Sequence, residues 1–309
     1  MAIKLFWWTG MPNFGDALNP LLCEKLFHQK TQWASPETCE AFFVGSLLDA
    51  LLYPCTIPRF RLRRSFYQNP VKIWSTGFIQ APNTRFRRRL RLPEIFFRPV
   101  EVFAVRGKLT LERVKNITKK PLKNVVLGDA GLLAEKLIDA NPITKKYKIG
   151  FIPHHTEIHG FNLRPDFAGG GGVDGLFSKD FPLEIPIYQA LQQRIENAVV
   201  IDFEADPLAV LMRIAECETI CSSALHGLIV ADSLGIPNMW STASERLLGG
   251  EYKFHDYYSV FGTAPRPLLL HEPLLPHAEK LPEWIIKNYA VDRQNVEKIQ
   301  QDLMDSFPF

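Results

Sequence analysis

The chain has 309 residues, 46% of them apolar and 22% charged, enough for one long domain or two ordinary ones. Its formal net charge of +3 says little about partners on average. The five cysteines, Cys23, Cys39, Cys55, Cys217 and Cys221, are scattered without a CxxC pair, which argues against a zinc ribbon and a disulfide framework and for small apolar residues in a reducing compartment.

The first segment, "IKLFWW", runs into the turn "TGMPNFGD", an apolar stretch too short for a signal peptide. No run approaches the length of a membrane span, so a soluble cytoplasmic protein is expected. In this first strand-to-helix turn Asp16 is the natural N-cap, Gly15 permits close backbone approach, and Asn13 and Asp16 are candidates for an acceptor site, with Asp16 as a base on an acceptor hydroxyl as the alternative to capping. The next segments repeat the design: "AFFV" into "GSLL", which carries Ser46, then "VKIW" into "STGF", "VEVFAV" into "RGKL" and "NVVL" into "GDAG". Short apolar runs ending at glycine turns, with helical stretches between them, predict buried parallel strands of a doubly wound α/β sheet. Arg106 stands at the end of one such strand, where its forked cation meets either solvent or an anion; Asp129 occupies the equivalent turn of the last and is given no role.

Ten basic residues and no acidic one lie between Arg59 and Arg91, interleaved with Phe60, Leu62, Phe66, Phe86, Leu90 and Leu92. The pattern fits a solvated basic face or an anionic membrane surface; no motif supports nucleic acid. Near "DANPITKKYK" the pattern breaks, predicting one Rossmann-like domain over 1–143 and a second over 144–309.

The second half continues with "KYKIGFIPHH", "NAVVIDF", "CETIC" and "IPNMW", and with the amphipathic helix "PLAVLMRIAEC". His154, His155, Glu157 and His159 tempt a metal reading, but their spacing matches no closed ligand set, and no metal is expected; His154 is kept as a cleft residue. The run Gly169 to Gly172 lacks the lysine of a P-loop and reads as a flexible linker.

The stretch "CETICSSALHGLIVADSLGIPNMW" predicts strand, turn, helix, strand, with Ser222 and Ser223 as candidate N-caps, His226 in the first helical turn and Gly235 ending the helix. It places an ionisable ring at the carboxyl end of a strand, where open α/β sheets bind ligands. His226 is either a structural histidine held by a backbone carbonyl or a group that exchanges protons near neutral pH. Lys253, in "GGEYKFHDYY", is either a solvated loop lysine or a cation of the same site, and "PEWIIKNYAVDRQNVEKIQQDLMDSF" predicts one or two terminal amphipathic helices that pack on either half.

Taken in order, "NFGDALNP", "VGSLL", "IWSTGF", "FAVRGKLT", "LGDAG", "IGFIPHH", the block from Asp206 to Trp240 and "GGEYKFHDYY" resemble the polysaccharide pyruvyl transferases, close to the succinoglycan type of bacteria. The resemblance implies two Rossmann-like domains facing across a GT-B-like cleft, acceptor on the first and donor on the second. It implies transfer of pyruvyl from phosphoenolpyruvate, a substrate and not a cofactor, to two hydroxyls of a sugar in a surface polysaccharide or its lipid-linked precursor. By the same resemblance His226 is the general acid/base and Arg106 and Lys253 bind the donor; Ser222, Ser223 and Leu225, at the helix amino terminus, are further donor-binding candidates. Several members carry Arg where this chain has Ala224, so donor-anion contacts are distributed differently here. A nucleotide-sugar glycosyltransferase of the GT-B type and a non-catalytic binder of anionic glycans are the competing readings.

Overall fold

The computed structural model describes residues 2–52, 69–82, 94–139, 142–159, 185–243 and 250–309. The basic segments 53–68 and 83–93, the expected glycine linker and residues 244–249 lie outside them.

The first half builds a five-stranded sheet from β1 (Ile3–Phe6), β2 (Thr31–Trp33), β3 (Ala41–Phe42), β4 (Val71–Ile73) and β5 (Val100–Val102), in the order β2-β1-β3-β4-β5. The predicted run "VEVFAV" breaks at Phe103, and its second part, β6 (Ala104–Val105), pairs with β7 (Val126–Leu127). The second half builds another five-stranded sheet from β8 (Tyr147–Ile152), β9 (Ala198–Val200), β10 (Cys217–Ser222), β11 (Asn238–Thr242) and β12 (Leu268–Leu269), in the order β12-β11-β10-β8-β9. Every pairing between these strands is parallel. Numbered from its own first strand, each five-stranded sheet has the order 2-1-3-4-5, a doubly wound, Rossmann-like α/β arrangement with a topological switch point beside its first strand.

The central strands are buried: Leu5, Ala41, Phe42, Val71, Ile73, Ile149, Phe151, Ile220 and Cys221 have no exposed surface, as a sheet covered on both faces requires. The connecting helices in the first half are α1 (Phe14–Leu26) and α2 (Lys108–Thr118), with a 3-10 helix over Ala130–Leu137 after β7. In the second half they are α3 (His155–His159), α4 (Ile185–Arg194), α5 (Pro207–Ala215), α6 (Leu225–Ser233) and α7 (Tyr252–Tyr258). Two terminal helices follow, α8 (Leu281–Asn288) and α9 (Arg293–Asp305).

The halves share one hydrophobic core, in which Leu5, Phe14 and Leu18 of the first join Ile152, Val210, Ile214 and Ile220 of the second. A backbone bond from Phe14 N to Phe203 O at 3.0 Å and the paired rings of these residues, 4.9 Å apart, seal the contact at the start of α1. The chain end returns to the first half. Trp74 Nε1 donates to Leu303 O and Ser306 Oγ, and Phe307 stacks on Phe27 at 3.6 Å. Lys72, one of the ten basic residues between Arg59 and Arg91, donates to Pro308 O at 2.7 Å and lies 3.7 Å over the Phe309 ring. It is a fastener of the terminus, a role the charge count alone does not reveal.

Candidate functional site

The turns leaving β1, β3, β8 and β10 flank the two switch points, and the helices that begin there pack against one another. Helix α6 lies on the 3-10 helix over Ala130–Leu137, and α5 on α1. The side chains expected to carry chemistry therefore collect where the halves meet.

His226 is the second residue of α6. The strand-turn-helix reading holds, and Gly235, at φ +65, ends the helix as predicted. The cap differs: Ala224 is the N-cap and supplies no side-chain bond, so the expectation for Ser222 and Ser223 is corrected. Both serines are fully buried. Ser222 Oγ donates to Ala224 O at 2.8 Å, while Ser223 Oγ accepts from His154 N at 2.7 Å and donates to Glu157 Oε2. These hydroxyls fasten the strand ends, the first turn of α6 has no side-chain cap, and Leu225 in that turn is buried in the core.

The imidazole of His226 packs against Gly15. A Cβ there would lie 2.0 Å from Nδ1 and 2.6 Å from Cγ and Cε1, so any side chain larger than glycine's displaces the ring or the helix. On its other edge Nε2 stands 3.8 Å from Asp129 Oδ2 of the first half, and neither atom has a hydrogen-bond partner. The His226 side chain is 14% exposed. Burial first, then the Arg106 and Lys253 cations, hold the ring down at about 3, so in the free protein it is a neutral base.

Asn13, not Asp16, caps α1: its side chain accepts from Gly15 N at 2.9 Å. Asp16 is thus freed from the capping expected of it. Its carboxyl is pushed up to about 7 by burial, against the opposing pull of the Trp8 N–H and the Lys253 charge. It faces Gly45, whose φ of +115 belongs to glycine's range.

Lys253 lies on helix α7 and not in a loop, only 7% exposed. Burial, then Arg106, lowers it to about 8, with Asp16 acting in the opposite direction. Its Nζ is 3.3 Å from Nε2 of His154, whose Nδ1 meets Thr156 Oγ1 at 2.8 Å, and it makes no ion pair among the described residues. Burial and then Lys253 keep His154 well below the ordinary histidine range, so it serves as a neutral neighbour of the ammonium.

Arg106 corrects the expectation of a donor-contacting guanidinium. It is fully buried, with Nε on Asp256 Oδ2 at 3.0 Å, Nη1 on Ser46 Oγ at 2.7 Å and Nη2 on Phe78 O. Gly77 makes room for it, since a Cβ there would lie 2.5 Å from the guanidinium carbon. Asp256 also accepts from Thr110 N and Oγ1, at 2.8 and 2.6 Å, so α7 is riveted to the start of α2. Arg106 sits beneath the site and reaches it through its field. Ser46 is its partly exposed partner.

After β8, His155–His159 form the short helix α3, and Glu157 is buried. Its carboxylate accepts from Tyr188 OH at 2.6 Å, from Ala243 N at 2.8 Å and from Ser223, joining the ends of three strands. Among the described residues, no cluster of three or more His, Cys, Asp or Glu side chains is arranged to hold a metal. No helix among them is long and apolar enough to cross a membrane.

Sequence reasoning left Asp129 without a role and passed over Asp256. The turn "GDAG" marked Asp129 as standing at a strand end, but only the packing of α6 on the following 3-10 helix brings it to His226. Nothing local marks Asp256, whose partners Arg106 and Thr110 are 150 and 146 residues away.

A functionally uncharacterized protein from Klebsiella pneumoniae subsp. pneumoniae is similar in structure at a TM-score of 0.39 and 14% identity, over 87% of this chain and 93% of that one. An uncharacterized protein of Acanthamoeba polyphaga mimivirus is 29% identical over 257 residues, 81% of this chain and 71% of its own length. Residues 13–242, from the Asn13 cap through β11, match polysaccharide pyruvyl transferase, and the chain belongs to that family.

Proposed function

We propose that the protein transfers the pyruvyl group of phosphoenolpyruvate to two hydroxyls of one saccharide, forming a cyclic ketal and releasing phosphate. The observation that carries this reading is the cationic ground around a neutral imidazole. Lys253 and the uncapped first turn of α6 present positive charge beside His226 with no neutralising ion pair among the described residues. A small dianionic donor suits that ground. Lys253 and the α6 N–H groups take the contacts that Arg would supply at Ala224, and Arg106 adds its field from below.

The reaction needs a proton delivered to the methylene carbon and protons removed from the sugar. Protonation of C3 leaves a cationic centre at C2. A first hydroxyl adds there, the C2–O bond to phosphate breaks, and a second hydroxyl closes the ketal. Of the two hydroxyl protons, one balances the proton taken up by the new methyl group and the other leaves with phosphate. His226 carries protons to and from the donor. Burial holds its value low first and the two cations second, and the donor's anionic groups raise it by offsetting the cations. Asp16, at about 7, stands on the acceptor side with the acceptor hydroxyls as its task. Trp8, 43% exposed and packed against Gly10, offers apolar ring surface for a sugar beside it. The acceptor then lies on the first half and the donor on the second, in a GT-B-like arrangement.

The test is incubation with phosphoenolpyruvate and a panel of free and lipid-linked glycosides, following glycan mass and phosphate. A glycan heavier by one pyruvate less water, formed with stoichiometric phosphate, is expected. Glycosyl transfer from a nucleotide sugar in a parallel incubation, with phosphoenolpyruvate inert, would overturn the reading.

A further inference from the structure

Two buried polar atoms face each other across the junction of the halves without partners, Nε2 of His226 and Oδ2 of Asp129, 3.8 Å apart. Buried polar atoms are almost always bonded, and an unbonded pair with matching donor and acceptor capacity calls for an account. The other carboxylate oxygen, Oδ1, is held at 2.9 Å by the Gly131 N–H, so the carboxylate cannot swing away and Oδ2 stays aimed at the ring. Gly131 also leaves the passage open: a Cβ there would already touch Ile229 at 2.9 Å and lie 3.6 Å from His226 Cδ2. A hydrogen bond needs the two atoms to approach by somewhat under 1 Å, within the reach of a small ring rotation or a slide of α6.

We propose that Asp129 is the positioning residue of His226: it accepts the Nε2 proton and so fixes the tautomer in which Nδ1 holds the lone pair, turned toward the Asn13–Gly15 turn. The inference rests on the proposed proton-carrying role of His226 and names the nitrogen that performs it. Nδ1 has no hydrogen bond among the described residues, yet it is not one of the buried orphan atoms, so it is the nitrogen open to the site. The charged groups that face the pair are Arg106, Lys253 and Asp256. Arg106 and Lys253 disfavour a second proton on His226, while Asp129 feels Arg106 and, in the opposite direction, Asp256. Burial pushes Asp129 up to about 6, so above that pH it is an anionic acceptor and below it the fixation is lost.

Ring nitrogen-15 shifts of the ligand-free protein test this directly, with the His226 signals identified among the eight histidines by their loss in His226→Gln. Above the Asp129 midpoint, wild type is expected to show a protonated Nε2 and an unprotonated Nδ1, with the preference fading as pH falls through about 6. In Asp129→Asn the side-chain carbonyl still accepts from Gly131, so its amide N–H turns to Nε2 and inverts the pattern. The turnover number of that variant falls on the order of 100-fold or more, with KM for phosphoenolpyruvate within about threefold, as a wrong tautomer predicts. An unprotonated Nε2 in wild type overturns the inference, as does an Asp129→Asn protein with unaltered ring shifts and unaltered turnover. The shifts require no substrate, so inertness toward phosphoenolpyruvate would sink the functional reading and leave this result standing.

Discussion

Gly15→Ala adds one methyl group where His226 meets α1, and its two consequences oppose each other. Gly15 lies in the first turn of α1 at an ordinary helical φ, so alanine gains helix propensity of at most about 1 kcal/mol. Against this, the new Cβ would fall on Nδ1 and within 2.6 Å of Cγ and Cε1, where an ordinary contact needs roughly 3.6 Å. With Nδ1 only 2.0 Å away, the ring or the helix must move by about 1.6 Å, an overpacking that costs about 1–3 kcal/mol. Net stability therefore drops by about 0–3 kcal/mol, and the protein stays folded. Catalysis is more sensitive, because a displacement of about 1 Å at a proton-carrying group costs on the order of 100-fold in rate. Thermal melting alongside phosphate release from phosphoenolpyruvate measures both. A folded Gly15→Ala enzyme with wild-type turnover would refute the placement of His226 against this turn as the working geometry.

Lys253→Met removes the buried ammonium while keeping its volume, and KM for phosphoenolpyruvate is expected to rise by at least about tenfold; unchanged KM in steady-state kinetics would exclude Lys253 from donor binding. Asp16 has a folded value of about 7 against 3.8 for the ordinary group, so the native state holds its proton more tightly and stability falls as pH rises from about 4 through 7. Asp16→Asn removes that decline and is the more stable protein above neutral pH, by up to about 4 kcal/mol before solvent screening; urea titrations at acid and neutral pH should show the two proteins converging at low pH. The basic segments between Arg59 and Arg91 are expected to bind liposomes containing anionic lipid, with binding weakened by salt; equal sedimentation with neutral liposomes would count against them as a membrane surface.

Much of this architecture was legible before any coordinates, because a strand covered on both faces must be apolar throughout and must stop at a residue that turns. "AFFV" satisfies that demand throughout, while "VKIW" and "CETIC" satisfy it except at the charged Lys72 and Glu218, the latter of which is exposed. The edge strands β2 and β12 escaped it. "TQW" is polar and half exposed, and Leu268–Leu269 is a two-residue strand; neither carries a buried apolar run. The site was legible as strand ends and ionisable residues, and not as partners. Sequence placed His226 correctly in its helical turn, yet capping was assigned to Ser222, Ser223 and Asp16 when Ala224 and Asn13 hold those positions. Capping preferences act over a few residues, whereas the partners that claim Ser223 lie 66 and 69 residues away. Arg106 shows the same limit: its place at the end of β6 was readable, but its burial depends on Asp256 from the other half.

The most direct measurement follows the atoms of the donor. Phosphoenolpyruvate labelled with oxygen-18 in the C–O–P bridge, turned over in heavy water with an accepting glycoside, should yield phosphate carrying the label and a ketal whose new methyl group holds one deuterium. Unlabelled phosphate with free pyruvate would contradict the account, since it would mean that the P–O bond breaks and that no C2 cation is captured by the sugar.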